Sequence, residues 1–484
     1  ENRTEWCISR QRRWGMPIPA LFNRVTGQAY LTAELVQAVA AAVATEGIEF
    51  WDRVTIAELR ALGALPAAVA ALPDDQIVKE TDILDVWFDS GVSHQAVIVD
   101  EGGALPVDLY LEGSDQHRGW FQSSHLSAMV LHGKPQTKAI LTHGFVVDKD
   151  GHKMSKSRGN VIDPQAVVKQ YGGDVLRLWV ASVDYERDIV ISPDLLAQTA
   201  EVYRKIRNTA RFLLMNLYDF SPAQDVLPDA QLLLLDRYAI ALAERVAAEV
   251  QGLYDQYRFA SAVQVLTRYC TTTLSAGYLD MVKDRLYTGG KKSSERRSAQ
   301  TALYHILTML SRLFAPILVH AAEDIWQSLP YEAEEESVHL TCYYRNTGAQ
   351  AGSEQLWDAL WRLRIGVLRA IEQERTAGRV KHSLEAQVVL FCDTSSESGV
   401  QLAGLSDLLG TQSAESFFKE WFIVSGYSTQ SDTAGLIPTD EDGVYVKVQH
   451  AAGVKCPRCW QWTADARADG LCTRCESICR ELEH

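Results

Sequence analysis

Gly151-His152-Lys153-Met154-Ser155-Lys156-Ser157-Arg158-Gly159-Asn160 is a polar loop bounded by glycines. It follows the apolar run Ile140-Leu141-Thr142-His143-Gly144-Phe145-Val146-Val147, which reads as a buried strand entering the turn 148–151. A strand that runs into a glycine-bearing loop is α/β texture. Two lysines beside small hydroxyl residues suit a mobile clamp on a polyphosphate, because ammonium donors can follow charge as it builds on a pyrophosphate leaving group. On composition alone, the same ten residues also make an ordinary basic surface loop.

Working upstream, Tyr110-Leu111-Glu112-Gly113-Ser114-Asp115-Gln116-His117-Arg118-Gly119-Trp120-Phe121 has the form of a strand end, a glycine and a polar turn. Open α/β sheets place ligands at such strand ends, and a helix is expected from Asp115 or Gln116. Carboxylates here can hold ribose hydroxyls or an ammonium group. The alternative is a charged helix cap, for which Asp is a good residue. Trp87, inside Asp85-Val86-Trp87-Phe88-Asp89-Ser90-Gly91, and Trp120 are read first as core residues, as lone tryptophans usually are. His143, just before the loop, is read first as structural. Trp6-Cys7-Ile8-Ser9-Arg10-Gln11-Arg12-Arg13-Trp14-Gly15 is a basic amphipathic strand.

The rest of the chain changes texture several times. Residues 1–30 hold two short extended stretches, residues 31–76 read as Ala- and Leu-rich helices, and residues 77–160 as an α/β unit. From about 198 to 330 the pattern is helical. Ile206, Ala210, Leu213, Leu214 and Leu217 form one apolar stripe, and similar stripes cover 232–254, 259–287 and 299–328. The stripes predict a helical bundle, with a basic loop over 288–298. Residues 335–450 combine a helix near 354–377 with strands over Gln387–Cys392 and Gly443–Gln449, and a short Ala-Ala-Gly linker leads to a cysteine-bearing tail.

That tail carries Cys456-Pro457-Arg458-Cys459 and, twelve residues later, Cys472-Thr473-Arg474-Cys475. Two C-x-x-C knuckles can give four thiolates around one zinc ion, a closed and therefore structural shell. Cys479 is a spare thiol nearby. Cys7, Cys270, Cys342 and Cys392 are scattered, which argues for a reducing cytoplasm and a metal site and against a disulfide framework. Arg458, Trp460, Trp462, Arg467 and Arg474 around the knuckles suit stacking on unpaired bases and phosphate contacts.

Bulk properties bound the rest. The 484 residues, 47% hydrophobic and 23% charged, allow roughly three soluble domains. No apolar run approaches the ~20 residues of a membrane span. A net charge of −15 argues by itself against nucleic acid. Local basic clusters at Arg10/Arg12/Arg13, Lys153/Lys156/Arg158, Arg204/Lys205/Arg207/Arg211 and Lys291/Lys292/Arg296/Arg297 keep it open. They are equally well read as solvated faces.

Lys153-Met154-Ser155-Lys156-Ser157 is identical to the KMSKS loop of class I aminoacyl-tRNA synthetases, and nearly the whole chain resembles the C-terminal half of the bacterial isoleucyl enzymes of that class. The segments that carry the resemblance are 1–15, 82–91, 110–121, 140–160 and 456–475, and their order agrees with the family's. The resemblance implies an ATP-dependent ligase that forms isoleucyl-adenylate and transfers the amino acid to tRNA(Ile). It implies Lys153 and Lys156 as catalytic, with Lys156 on the ATP phosphates. It implies adenylate or substrate contacts from Glu112, Gly113, Asp115, Gln116, His143 and Gly144, and a pocket for the branched side chain walled by Trp87 and Trp120. Such a pocket excludes larger side chains but rejects a smaller one weakly, a limit for which isoleucine-activating enzymes are the standard example. Arg458 and Trp460 match positions that face the tRNA anticodon, and Cys456, Cys459, Cys472 and Cys475 match the zinc ligands.

The implied architecture is multidomain. The second half of a Rossmann-type nucleotide domain spans 1–160, with a connective insertion at about 25–80, followed by a stem-contact linker at 161–197. A helical anticodon-binding bundle covers 198–335, a mixed α+β junction 336–450, and a zinc ribbon or knuckle 451–484. Two parts of the family pattern have no counterpart in this sequence: the HIGH tetrapeptide, for which Ser124-His125-Leu126-Ser127 is no substitute, and the editing insertion. The chain is therefore expected to be inactive alone and to belong with an N-terminal half, as a cytoplasmic enzyme that is monomeric when complete. The competing readings are a valyl or leucyl enzyme, a non-catalytic tRNA-binding module, and a zinc-ribbon transcription or repair factor. The last leaves 77–160 unexplained.

Overall fold

The computed structural model describes residues 5–344, 348, 351–467 and 469–482; of the opening run, Glu1–Thr4 lie outside the described residues. The chain forms two compact units. One comprises Glu1–Val146 with Tyr185–Ile189, the other Val147–Asp184 with Val190–His484.

In the first unit, strands β1 (Val107–Gly113) and β2 (Thr137–His143) run parallel, joined through helix α1 (Trp120–His132). This is one right-handed βαβ turn by the general rule for parallel pairs. Tyr110 on β1 stacks on Trp120 at 4.2 Å and so fixes α1 against the sheet. Asp85 caps a short helix, Val86–Gly91, by accepting from the Trp87 amide. A separate small core lies under the Ala33–Glu46 helix and a three-stranded antiparallel sheet, around Leu21, Leu35, Trp51 and Leu59.

Two expectations are corrected here. The segment 140–147 is not one buried strand: β2 ends at His143, and Ile140 is 47% exposed. The break falls at Gly144, whose amide donates to the Tyr185 carbonyl and where a Cβ would lie 2.2 Å from the Arg187 carbonyl oxygen. No residue with a side chain fits there. Nor does an α-helix start at Asp115 or Gln116. A single 3-10 turn, Ser114–Arg118, comes first, because Gly119 departs from helical backbone angles before α1 begins.

The second unit is built on helices α2 (Pro193–Asn216), α3 (Leu234–Asp255), α4 (Phe259–Arg268), α5 (Lys283–Thr288), α6 (Ser294–Phe314) and α7 (Val319–Gln327). Ser192 and Ser293 cap α2 and α6 through their hydroxyls. The stripe expected over 259–287 is broken by a π-helical segment, Tyr269–Tyr278, and that over 299–328 ends at Phe314 because Pro316 cannot continue a helix. The 288–298 loop is shorter than expected, since α6 starts at Ser294. A long helix, α8 (Glu354–Thr376), packs against a four-stranded sheet of β3 (Ala386–Cys392), β4 (Gly426–Thr429), β5 (Ile437–Pro438) and β6 (Val444–His450), ordered β4-β3-β6-β5. One continuous apolar core runs through the bundle and this sheet.

Within that core sits an ion network. Arg285 on α5 meets Asp236 on α3 at 2.7 and 2.9 Å and Glu420 on helix α9 (Ala414–Phe422) at 2.5 Å. Tyr278 and Ser298 also donate to Asp236, which is fully buried. Removing one member of a buried pair strands the others. Arg285→Met is therefore expected to lower unfolding free energy by about 3–5 kcal/mol, read as a lower urea midpoint. An unchanged midpoint would show that water replaces the guanidinium.

Candidate active site and metal centre

In the first unit, the register of β1 and β2 brings Gly113 opposite His143 and Glu112 opposite Thr142, all at the carboxyl ends of neighbouring parallel strands. Glu112 is exposed and accepts from the Gly113 amide at 2.9 Å. The His143 Nδ1 lies 2.7 Å from the Gly144 carbonyl oxygen, which orients the half-buried ring. Asp115 is exposed in the 3-10 turn, 3.3 Å from the Gln116 amide nitrogen, and Gln116 accepts from the Trp120 amide at 3.0 Å. Six sequence-predicted residues thus lie along one strand-end rim: Glu112, Gly113, Asp115, Gln116, His143 and Gly144.

The two tryptophans differ. Trp87 is 38% exposed and borders a cavity of about 380 Å³ together with Trp6, Asp85, Arg118 and Gly119. A Cβ on Gly119 would stand 2.9 Å from the Trp87 ring, so this close approach requires glycine. Trp120 does not line that cavity. Its ring stacks on Tyr110, and its indole N–H donates to the Ser90 carbonyl and the Ser93 hydroxyl. Asp85 was not singled out from sequence, yet its carboxylate receives the Trp6 indole at 3.0 Å and Arg10 at 2.6 Å. The available signal was an Asp directly before a short apolar helix.

In the second unit, the lysine loop is held from its own ends. Asp148 receives the Asp150 and His152 amides and the Asn160 side chain at 2.7 Å, and Asn160 in turn receives the Ser155 amide at 2.9 Å. These donors hold the Asp148 carboxyl below its usual pKa, the Asn160 bond being the largest cause. Ser155 caps a one-turn helix, Lys156–Arg158, which ends at Gly159 in the left-handed region. Lys153 and Lys156 are exposed. Asp148, Asp150 and His152 lie close enough to share a cation, but their amide and Asn160 bonds account for the cluster as a turn. Asn160→Ala removes both ends of this brace. Loss of about 1–3 kcal/mol of loop order would lower a loop-dependent reaction rate by roughly 5- to 100-fold. An unchanged rate would show that the brace is dispensable.

The cysteine tail forms a hairpin, β7 (Val454–Lys455) with β8 (Trp462–Thr463), and a helix, α10 (Thr473–Leu482). Cys456, Cys459, Cys472 and Cys475 are buried, with all four sulfurs within 4.8 Å of one another. The Cys459 and Cys472 sulfurs are 3.8 Å apart, too far for a disulfide and equal to the edge of a tetrahedron with Zn–S of about 2.3 Å. Cys479 stays outside the group. The donor set therefore fits a closed, thiolate-bound metal.

The basic and aromatic residues around this centre divide in an unexpected way. Arg458 turns inward, donating to the Thr288 carbonyl at 2.5 Å and to the Cys475 sulfur at 3.5 Å. Arg474 is bidentate to Asp284, at 2.5 and 2.8 Å. Arg467 pairs with Glu476, and Trp462 packs edge-on to His450. Trp460 alone among the five presents a mostly open ring, 60% exposed, with the Lys455 ammonium 5.1 Å from its centre.

With strand-end rim, lysine loop and four-thiol centre in place, two family models match the chain. That for tRNA synthetases class I (I, L, M and V) covers residues 1–192, and that for the anticodon-binding domain of tRNA ligase covers 236–390. The chain belongs to the class I aminoacyl-tRNA synthetases. Within that class its sequence is similar to isoleucine–tRNA ligases. It is 43% identical to that of Thioalkalivibrio sulfidiphilus over 98% of this chain and 50% of the relative. It is 42% identical to that of Geobacillus kaustophilus over 99% of this chain and 52% of the relative. The chain thus spans about half the length of the curated relatives it matches. A LeuRS–tRNA–LeuAMS ternary complex from Agrobacterium radiobacter K84 shares the fold, with a TM-score of 0.53 and 20% identity over 72% of this chain and 44% of that one. No described helix is long and apolar enough to cross a membrane.

Proposed function

We propose that this chain is the C-terminal part of an isoleucine–tRNA ligase, and that the complete enzyme forms isoleucyl-adenylate from isoleucine and Mg-bound ATP before charging tRNA(Ile). The observation that carries the reading is the strand-end rim, where Glu112, Gly113 and His143 sit side by side at the carboxyl ends of parallel strands. That is where such sheets take nucleotides. Glu112 and Asp115 hold the ribose and adenylate, Gln116 lies by the amino-acid ammonium, and Trp87 and Trp120 frame the branched side chain. The isoleucine carboxylate attacks the α-phosphate, and Lys153 and Lys156 neutralise the departing pyrophosphate. The terminal tRNA hydroxyl then attacks the adenylate carbonyl. Catalysis is positioning and charge stabilisation, with no covalent enzyme intermediate.

The same reading assigns the rest. The connective insertion at about 25–80 and the linker 161–197 join the catalytic part to an anticodon-binding bundle over 198–335. The junction over 336–450 carries the module 451–484, where Cys456, Cys459, Cys472 and Cys475 hold one structural zinc. Trp460 and Arg458 face the anticodon, Trp460 by stacking and Arg458 by shaping the knuckle. The complete enzyme is a cytoplasmic monomer.

A two-stranded parallel sheet is rarely stable uncovered, since parallel sheets are normally buried on both faces. Leu111 and Ile140 on the strands and Val130 on α1 are 54%, 47% and 85% exposed, which supports a further segment completing the sheet. The test is isoleucine-dependent ATP–pyrophosphate exchange, with this chain alone and with the N-terminal half of an isoleucyl enzyme added. Exchange only in the mixture is the expected result. Absence of exchange in both, with tRNA still bound, would favour a tRNA-binding module.

A further inference from the structure

Between Val202 and Tyr218 the chain has four cations and no acidic residue, in a molecule of net charge −15. On α2, Arg204, Asn208, Arg211 and Met215 recur at helical spacing and are all exposed, while Ile206, Ala210 and Leu213 face the core. The exposed stripe ends on Tyr218, two residues past the helix and 63% exposed.

A second open tyrosine is brought to the same corner. Arg296, itself only 3% exposed, binds the Asp219 carboxylate at 2.6 and 2.9 Å and reaches the Leu286 and Lys291 carbonyls at 3.2 and 3.3 Å. Its guanidinium lies 5.8 Å from the Tyr218 ring. One buried cation thus fixes three surface pieces: the end of α2, the end of α5 and the loop before α6. The α5 end presents Tyr287, 59% exposed, whose ring meets Phe212 of α2 edge-on at 6.3 Å. The loop presents Lys291 and Lys292, both exposed. Arg296 is a structural hub, and its sequence neighbours carry the surface.

We infer that this corner is a docking surface for unpaired nucleotides of an RNA loop, with Tyr218 and Tyr287 stacking on bases and Arg211, Lys291 and Lys292 on phosphates. Cations alone would serve any acidic partner. Two open aromatic faces rigidly held beside them are what unstacked bases require, and bases inside a duplex are not available to them. The inference rests on the ligase reading, which makes a tRNA the RNA, and it adds to that reading a base-contacting surface remote in sequence from Trp460.

The test measures binding of a tRNA transcript with an isoleucine anticodon, across a salt series, to this chain and its variants. Tyr218→Ala and Tyr287→Ala are each expected to weaken binding by about 5- to 100-fold at unchanged salt slope, and Tyr218→Phe to retain it. Lys291→Ala with Lys292→Ala is expected to reduce the slope of log K against log salt by about 1 to 2. A transcript whose loops are closed by complementary strands should lose the tyrosine effect. Parent-like affinity in both alanine variants overturns the inference and leaves the ligase reading intact. Equal loss on looped and closed transcripts overturns the role of unpaired bases. A parent chain that binds no tRNA overturns both.

Discussion

Lys156→Ala is expected to lower isoleucine-dependent pyrophosphate exchange by about 10²- to 10³-fold in enzyme reconstituted from this chain and an N-terminal half, the usual cost of removing one donor from a developing charge. Lys156 opens a one-turn helix whose preceding residue, Ser155, is fixed both by its cap bond and by the Asn160 carboxamide. The ammonium is thus carried on a short, braced segment yet remains exposed. A group placed to follow charge onto pyrophosphate binds the transition state better than ATP, so the loss should fall on kcat with little change in KM for ATP. Lys156→Arg keeps the charge but changes its geometry and should recover only part of the rate. Full exchange by Lys156→Ala would remove the lysine loop from the chemistry. A loss confined to KM would assign it to ATP binding alone.

How much of this was legible beforehand depended on the range of the forces involved. The bundle helices were visible because burial of one face imposes a local 3.6-residue period, as for Ile206, Ala210 and Leu213 on α2. The four thiols were visible because a metal shell demands paired spacing. The breaks were harder. The π-helical segment at Tyr269–Tyr278 leaves the apolar pattern intact, so periodicity passes straight over it. Gly144 ends β2 through contacts with Tyr185 and Arg187, forty residues away in sequence, where no local pattern reaches. Charge misled most. Arg296, Arg458 and Arg474 read as phosphate ligands, yet each is spent on an internal partner: Asp219, the Thr288 carbonyl and Asp284. A guanidinium has five donors, and a sequence does not say whether they point in or out. The same uncertainty hid Asp85 and the Asp148–Asn160 brace, whose meaning lies in which amides they receive.

Cys475→Ser, or chelation of the parent chain, is expected to abolish binding of one metal ion and to unfold the tail while the bundle stays folded. The reason is in the packing. The cluster around the four cysteines contains no other buried apolar residue, and only Leu471 is packed against it. A module of under about 40 residues without an apolar core usually needs a metal or disulfides, and these sulfurs are too far apart to be disulfides. Structural zinc contributes about 10–16 kcal/mol of apparent binding in such modules, far more than the module's remaining contacts supply. Those contacts, chiefly Arg474 with Asp284 and Arg458 with the Thr288 carbonyl, hold the tail to α5, so its loss should expose Arg458, Arg467 and Arg474 to trypsin. The bundle core is continuous without the tail, so far-ultraviolet helicity should fall only by the contribution of α10. Trypsin resistance with stoichiometric metal in Cys475→Ser would show that three thiolates suffice. Resistance without any metal would mean that the docking contacts fold the tail unaided, and the metal assignment would fail.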